Sequence, residues 1–298
     1  MERRKFIRNV SFTTALLTLD LKKTFAFFND PSYKITMLTN EIGIFSEQGG
    51  TIGFMLSPNG IVVIDTQFPD PAKHLIAELK SKNTTGFRLL INTHHHGDHT
   101  SGNPEFKGLV HQVVAHENCV INQKNVAQSQ NKLNEIYYAD TTFTDTWKKK
   151  VGKEKIKTYY FGPAHTNGDI VVHFQKANIV HLGDLVFNRR FAFVDRPGGA
   201  NIKSWIQVLD KVINKFSDST TFIFGHAYNP DRVTGNKDDV RAMQNYLTKL
   251  LEFVSSQIQA GKTKEQILQA TSIPGAPEWQ GNGIERCLIA AFEELTTV

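Results

Sequence analysis

Four histidines and one aspartate fall within eight residues, Thr93-His94-His95-His96-Gly97-Asp98-His99-Thr100. Imidazoles at i, i+2 and i+5 with a carboxylate at i+4 suit metal binding from a loop, because they offer nitrogen and oxygen donors over a short span. Buried without a partner, such a group is costly. The octet follows the apolar run Phe87 to Asn92, which reads as a buried strand ending in a polar loop.

Three later positions have the same character. His165 sits in the turn Gly162-Pro163-Ala164-His165, just before a strand-like run. Asp184 follows Val180-His181-Leu182-Gly183, and His226 follows Phe222-Ile223-Phe224-Gly225. A histidine or aspartate at a strand end beside a glycine suits a site built on the edge of a sheet. Taken singly, each is more often a capped or hydrogen-bonded structural residue.

The elements that must position these residues come in two batches. Short β-branched and aromatic runs fill residues 33–68, with turns at Gln48-Gly49-Gly50 and Ser57-Pro58-Asn59-Gly60. Ile35 to Phe45 reads as one strand run. A helix follows to about Lys82, then the strand at Phe87 to Ile91, a strand at Val110 to Ala115, and a polar helix from Glu117 to Lys132. The second batch has two or three strands over Asp140 to Tyr160, a hairpin at Ile170–Phe174 and Ile179–Leu182, and a strand at Thr220–Phe224. Amphipathic helices are expected over Ile202–Phe216 and Lys237–Gln259, with helices again near the end. Two batches of strands, each followed by helices, predict an α/β chain folded as a four-layer αββα sandwich. No linker is visible, so residues 29–298 read as one domain.

Composition narrows the function. The formal charge is +5, but residues 1–25 hold six basic residues against Glu2 and Asp20, leaving about +1 for the rest. A near-neutral body argues against nucleic acid as the partner, and Lys148-Lys149-Lys150 reads as a solvated turn. No apolar run approaches the length of a membrane span. Arg3-Arg4-Lys5-Phe6-Ile7-Arg8 and the weakly apolar stretch after it resemble a twin-arginine export signal over residues 1–28, which implies a periplasmic or otherwise exported protein. Asp20, Lys22 and Lys23 interrupt that stretch. Two distant cysteines, Cys119 and Cys287, make neither a disulfide framework nor a cysteine-rich zinc site.

Together, His94, His96, Asp98, His99, His165, Asp184 and His226 resemble the metallo-β-lactamase superfamily, whose pattern is H-x-H-x-D-H, a downstream His, a bridging Asp or Cys, and a final His. The resemblance covers about residues 33–230, and the superfamily's αββα fold agrees with the element order. It implies one ion on His94, His96 and His165, a second on Asp98, His99 and His226, and Asp184 bridging. It implies two zinc ions per chain, with iron or manganese as the other options. The chemistry implied is metal-bound hydroxide attacking an ester, thioester, lactone or lactam bond of a small molecule, with Asp98 and Asp184 as catalytic residues. Aspartate at the bridge, rather than cysteine or serine, goes with thioesterase-like and lactonase-like relatives. Histidine at position 96 disfavours the diiron flavoprotein branch. β-Lactamase activity and a mononuclear iron sulfur dioxygenase remain the alternatives, and a non-catalytic metal-binding protein is a third.

Around this set, Asp65 ends a strand and is a candidate to orient a ligand imidazole. Asn188, Arg189 and Arg190, following Asp184, are candidates to bind substrate, with Phe191 and Phe193 nearby. His95 reads as a spacer in the loop, and His116 as a candidate to line the cleft. The tail with Trp279 is a candidate cover for the site or a homodimer contact.

Overall fold

The computed structural model describes residues 33–297. The export-signal reading of residues 1–28 lies outside them. The first sheet takes its strands in chain order: β1 (Lys34–Met37), β2 (Ile42–Ser46), β3 (Ile52–Ser57), β4 (Gly60–Ile64), β5 (Phe87–Ile91), β6 (Val113–His116) and β7 (Thr141–Phe143). β1 to β4 pair antiparallel through short turns. β4 to β7 pair parallel. Parallel neighbours need long crossovers. The helices Pro69–Lys82 and Glu117–Ser129 supply two of them, and the histidine loop lies in the third.

The second sheet holds β8 (Thr146–Val151), β9 (Glu154–Tyr160), β10 (Ile170–Phe174) and β11 (Ile179–His181). A separate parallel pair joins β12 (Phe187–Asn188) to β14 (His226–Ala227). β13 (Thr221–Ile223) pairs parallel to β11 across the helix Ile202–Lys215, and β15 (Thr234–Gly235) closes the edge.

Both faces of the central strands are buried, which explains the continuous apolar runs of β4 and β5. Val62, Ile64, Leu89 and Ile91 face Ile156, Ile170, Val172 and Ile179 between the sheets. On the outer face of the first sheet, Ile61 and Val63 meet Leu75 and Leu79 of the Pro69–Lys82 helix. On the outer face of the second, Val171, Val180 and Phe222 meet Trp205, Val208 and Leu247 from the helices Ile202–Lys215 and Lys237–Gln259. Each such Leu or Ile contributes about 1.5–3 kcal/mol when fully buried. The helix Ile284–Thr296 joins the same outer layer through Cys287 and Leu288. The result is the expected αββα sandwich.

The first strand run differs from the sequence reading. Ile35 to Phe45 is two strands, because the chain turns at 38–41, where the Thr39 hydroxyl accepts from the Ile42 amide at 2.9 Å. A register shift between Ile61 and Val62 leaves Arg88 outside the alternation and exposed. No helix among the described residues is long and apolar enough to cross a membrane.

Candidate metal centre

Four chain segments meet at the ends of the strands. β5 stops at Ile91, and the Asn92 amide still bonds Val114 O at 2.9 Å, so the loop leaves the sheet in a fixed direction. The side-chain amides of Asn92 and Asn103 pair with each other at 2.8 and 3.1 Å. His96 then accepts from the amides of His99 and Thr100, both at 3.0 Å, which starts the short helix Gly97–Thr100. His96 therefore projects from extended backbone, and Asp98 and His99 from a helical turn. His165 comes from the turn before β10, Asp184 from the turn after β11, and His226 from the residue after Gly225. Gly225 is required there: a Cβ on it would collide with Asp184 Oδ1 and press on the backbone of Gly183.

The side chains form two groups. His94, His96, His165 and Asp184 make one, and Asp98, His99 and His226 the other. In the first, His96 Nδ1 lies 3.1 Å from His94 Nε2 and 2.9 Å from His165 Nε2. In the second, His226 Nε2 lies 3.1 Å from Asp98 Oδ2 and 3.4 Å from His99 Nε2. Asp184 stands between them, with Oδ2 3.5 Å from His165 and 3.4 Å from His226, and Oδ1 3.0 Å from His99.

The outer ring nitrogens fix which way the lone pairs point. His165 Nδ1 donates to Phe193 O at 2.6 Å, and His96 Nε2 to Asp195 at 2.9 Å. His99 Nδ1 donates to Asp65 Oδ2 at 2.8 Å. The Thr93 hydroxyl donates to Asp65 Oδ2 at 2.7 Å, so it accepts from His94 Nδ1 at 3.0 Å. In these tautomers the inner nitrogens of His94, His96, His165 and His99 all present lone pairs to one another. Asp184 Oδ1 is buried, 3.0 Å from the His99 ring nitrogen. Converging lone pairs beside a buried carboxylate demand positive charge. A divalent metal fits this donor set.

The electrostatics agree. Burial, reinforced by the neighbouring His99, holds His94 well below the usual histidine range, and burial takes His165 down to about 3. Both are neutral, as a metal ligand must be. Burial would lower His99 and His226 too, but Asp184 with Asp65 lifts His99 well above its range, and Asp184 with Asp98 lifts His226 to about 9. Burial would raise Asp98 and Asp184. The adjacent His226 and His99 outweigh it, taking Asp98 to about 2 and Asp184 well below the carboxylate range.

Asp65 is fully buried and accepts from the Thr93 amide, the Thr93 hydroxyl and His99. The structure does not bring Asn188 and Arg189 to the cleft. Asn188 is buried and donates to Arg232 O at 2.8 Å. Arg189 has φ 58°, which turns its side chain over the Trp279 ring and to 3.6 Å from Asp239. Arg190 does line the cleft, a cavity of about 300 Å3 floored by Asp98, Asp184 and His226 and walled by Phe187 and Phe193. A larger cleft of about 650 Å3 near Arg88, His111 and Lys149 holds none of the seven candidate ligands.

His95 is not a free spacer: it is buried, with Nε2 3.4 Å from Asp195. His116 caps the Glu117–Ser129 helix and bonds Thr144 O, away from the cleft. Trp279 is core, stacked on Tyr246. Sequence reasoning missed Asp195, which lies in a loop with no strand-end signal, and Arg286, which lines the cleft from the Ile284–Thr296 helix.

Comparison with known proteins agrees with the geometry. Residues 47–226 match the family model described as the metallo-beta-lactamase superfamily. The chain is 24% identical over 221 residues to a metallo-beta-lactamase type 2 of Elizabethkingia meningoseptica, covering 71% of this chain and 86% of that protein. It is 30% identical over 128 residues to a hydroxyacylglutathione hydrolase of Crocosphaera subtropica, covering 43% of each. The solved metallo-beta-lactamase from Pontibacter korlensis superposes with a TM-score of 0.62 at 19% identity, over 72% of this chain and 99% of that one. The chain belongs to the metallo-beta-lactamase superfamily and is a metallo-hydrolase.

Proposed function

We propose that the enzyme holds two zinc ions per chain and hydrolyses an ester, thioester, lactone or lactam bond of a small molecule; iron or manganese also suits the donors. His94, His96 and His165 would hold one ion, Asp98, His99 and His226 the other, and Asp184 would bridge them. The observation that carries this reading is the set of inward lone pairs around the buried carboxylate of Asp184. When bound, the ions supply Lewis acidity, lowering the pKa of water and polarising a carbonyl oxygen.

The chain's own groups do the rest. Asp98 is the candidate carboxylate open to the cavity, with its side chain 32% exposed against 4% for Asp184. Held ionised by His226, it can orient the attacking water and take its proton. Phe187 and Phe193 give the cleft an apolar wall. The relatives named metallo-beta-lactamase support a lactam, and the hydroxyacylglutathione hydrolase supports a thioester. Aspartate at 184 favours the ester and thioester side of that range. Export, supported by Arg3 and Arg4, is part of the same proposal.

The test is a panel of lactams, lactones, esters and thioesters offered to zinc-loaded protein. At least one class should be hydrolysed. That activity should vanish on chelation, return with zinc, and be absent from His94→Ala and His96→Ala proteins of unchanged circular dichroism. Full activity after the metal is stripped would overturn the reading.

A further inference from the structure

Six lysines gather on the outer face of the second sheet, away from the metal centre. Side chains alternate across a strand. Lys148 and Lys150 of β8 and Lys155 and Lys157 of β9 therefore share the face that carries Tyr159 and Val171, turned away from the first sheet. Lys211 and Lys215, near the end of the helix Ile202–Lys215, stand beside them. Lys215 and Lys157 both lie over the Tyr159 ring, 4.5 and 4.8 Å from its centroid, and Lys211 donates to Phe161 O at 2.8 Å.

None of the six makes an ion pair among the described residues, because the acids of these segments are engaged elsewhere. Glu154, the one carboxylate of the hairpin, is buried and accepts from the amides of Lys155, Lys176 and Ala177 at 2.7 to 3.1 Å. The one acid of the helix, Asp210, accepts from Asn214 at 2.9 Å. Asp218, just beyond it, pairs with Lys237 at 2.7 Å.

The strand register makes this array costly. Lys148 lies directly opposite Lys157, and Lys150 opposite Lys155. Opposed residues stand about 5 Å apart across the strands and about 7 Å from the next on the same face along them. Like charges so placed destabilise a sheet. The sequence suggests a solvated turn at Lys148 to Lys150, but all three belong to β8. Lysines on an edge strand keep it from pairing with another chain. That role accounts for Lys148 and Lys150, on the edge. It does not account for Lys155 and Lys157, because β9 is paired on both sides, to β8 and to β10. Lys149 points to the other face and donates to Gln112 Oε1 at 3.2 Å. His173, opposite Lys157 on β10, registers the positive field: burial, then Lys215 and Lys157, take it down to about 4.

From this array we infer that the β8–β9 hairpin, with the end of the helix Ile202–Lys215, docks on an anionic phospholipid surface. Two features favour a membrane over another polyanion. All six cations are lysine, which offers point charges to a diffuse negative surface and not the guanidinium fork that grips single phosphates. The Tyr159 ring is buried, covered by two lysines and stacked on Phe161, so it is not free to stack on a nucleic-acid base. The docking is independent of the reaction at the metal centre.

Sedimentation of the full chain with lipid vesicles tests it. Wild-type protein should pellet with phosphatidylcholine vesicles containing about 30% phosphatidylglycerol. It should stay in solution with phosphatidylcholine alone, and about 0.5 M salt should release it from the anionic vesicles. The variant Lys148→Gln/Lys150→Gln/Lys155→Gln/Lys157→Gln should bind the anionic vesicles at least tenfold more weakly. Its urea midpoint should not fall, since opposed charges have been removed. A variant of the same net charge, Lys80→Gln/Lys107→Gln/Lys132→Gln/Lys262→Gln, should stay within twofold of the wild type. The pairs Lys148→Gln/Lys157→Gln and Lys150→Gln/Lys155→Gln should each give part of the loss. Failure to bind the anionic vesicles, equal binding to both lipids, or equal losses in the two fourfold variants would overturn the inference. Tighter binding to a single-stranded oligonucleotide than to the vesicles would overturn it too, and make nucleic acid the occupant.

Discussion

Asp195 accepts a hydrogen bond from His96 at 2.9 Å across ninety-nine positions of sequence, and it is this contact that turns His96 Nδ1 toward the other candidate ligands. Burial would raise Asp195, but hydrogen bonds from His95 and His96 hold it far below the carboxylate range, so the anion is present at any working pH. Replacing it with Ala frees the His96 ring to change tautomer. Asp195→Ala should weaken zinc binding about 10–100-fold, in line with the usual effect of losing a ligand's outer partner. Asp195→Asn, which keeps an acceptor, should lose less. Competition with a chromophoric chelator measures both.

Asp65 satisfies three buried donors at once, at 2.7 to 2.8 Å. Asp65→Ala leaves the Thr93 amide, the Thr93 hydroxyl and His99 without it. Each unsatisfied buried group costs about 1–3 kcal/mol. Asp65 also has φ 63°, a conformation in which Ala is strained by roughly 1–2 kcal/mol. The variant should unfold at clearly lower urea than the wild type even in metal-free protein, and should bind less zinc. Unchanged urea midpoints would show that the contacts do not bear on stability.

Gly225→Ala tests the close approach beneath Asp184. The added methyl meets Asp184 Oδ1 and the Gly183 backbone, so Asp184 or the β13 end has to move. Overpacking of this kind costs about 1–3 kcal/mol. Because Asp184 serves both groups, zinc content should fall for the whole centre, as elemental analysis would record. Wild-type zinc content would show that the site absorbs the methyl.

His181 gives a pH dependence separate from catalysis. It is buried, donates from Nε2 to Thr51 O at 3.0 Å, and accepts from the Gly183 amide at 3.1 Å. Burial takes it down to about 4, with Asp65 opposing. The folded value thus lies below the unfolded value of about 6.5, so folding favours the neutral ring. Its contribution is complete above pH 6.5 and is lost as pH falls toward 4, by roughly 3 kcal/mol at the limit. In chelated protein, the stability gap between wild type and His181→Gln should narrow from pH 7.5 to pH 4.5 by urea titration. A gap that does not change with pH would contradict this.

The parts of the site that the sequence displays are those that local chemistry marks. Four donors in one octet, and three more at glycine-flanked strand ends, can be seen because a polar residue closing an apolar run has few structural reasons to be there. The αββα fold was legible for a similar reason: runs such as Ile61 to Ile64 are apolar on both sides, as a strand covered on two faces must be. Asp195 and Arg286 were not legible, because their partners come from distant segments and no local pattern distinguishes them from solvated residues. Arg189 misled in the opposite way. Its position after Asp184 suggests the cleft, but a positive φ and the pull of Asp239 and Trp279 take it elsewhere.

The central claim is a two-metal centre built from His94, His96, Asp98, His99, His165, Asp184 and His226. Elemental analysis of the zinc-saturated and desalted protein tests it most directly. The account predicts two zinc ions per chain, falling to one or fewer in Asp184→Ala. A chain that retains no zinc, or that instead holds a single iron and consumes oxygen with a sulfur substrate, would contradict it.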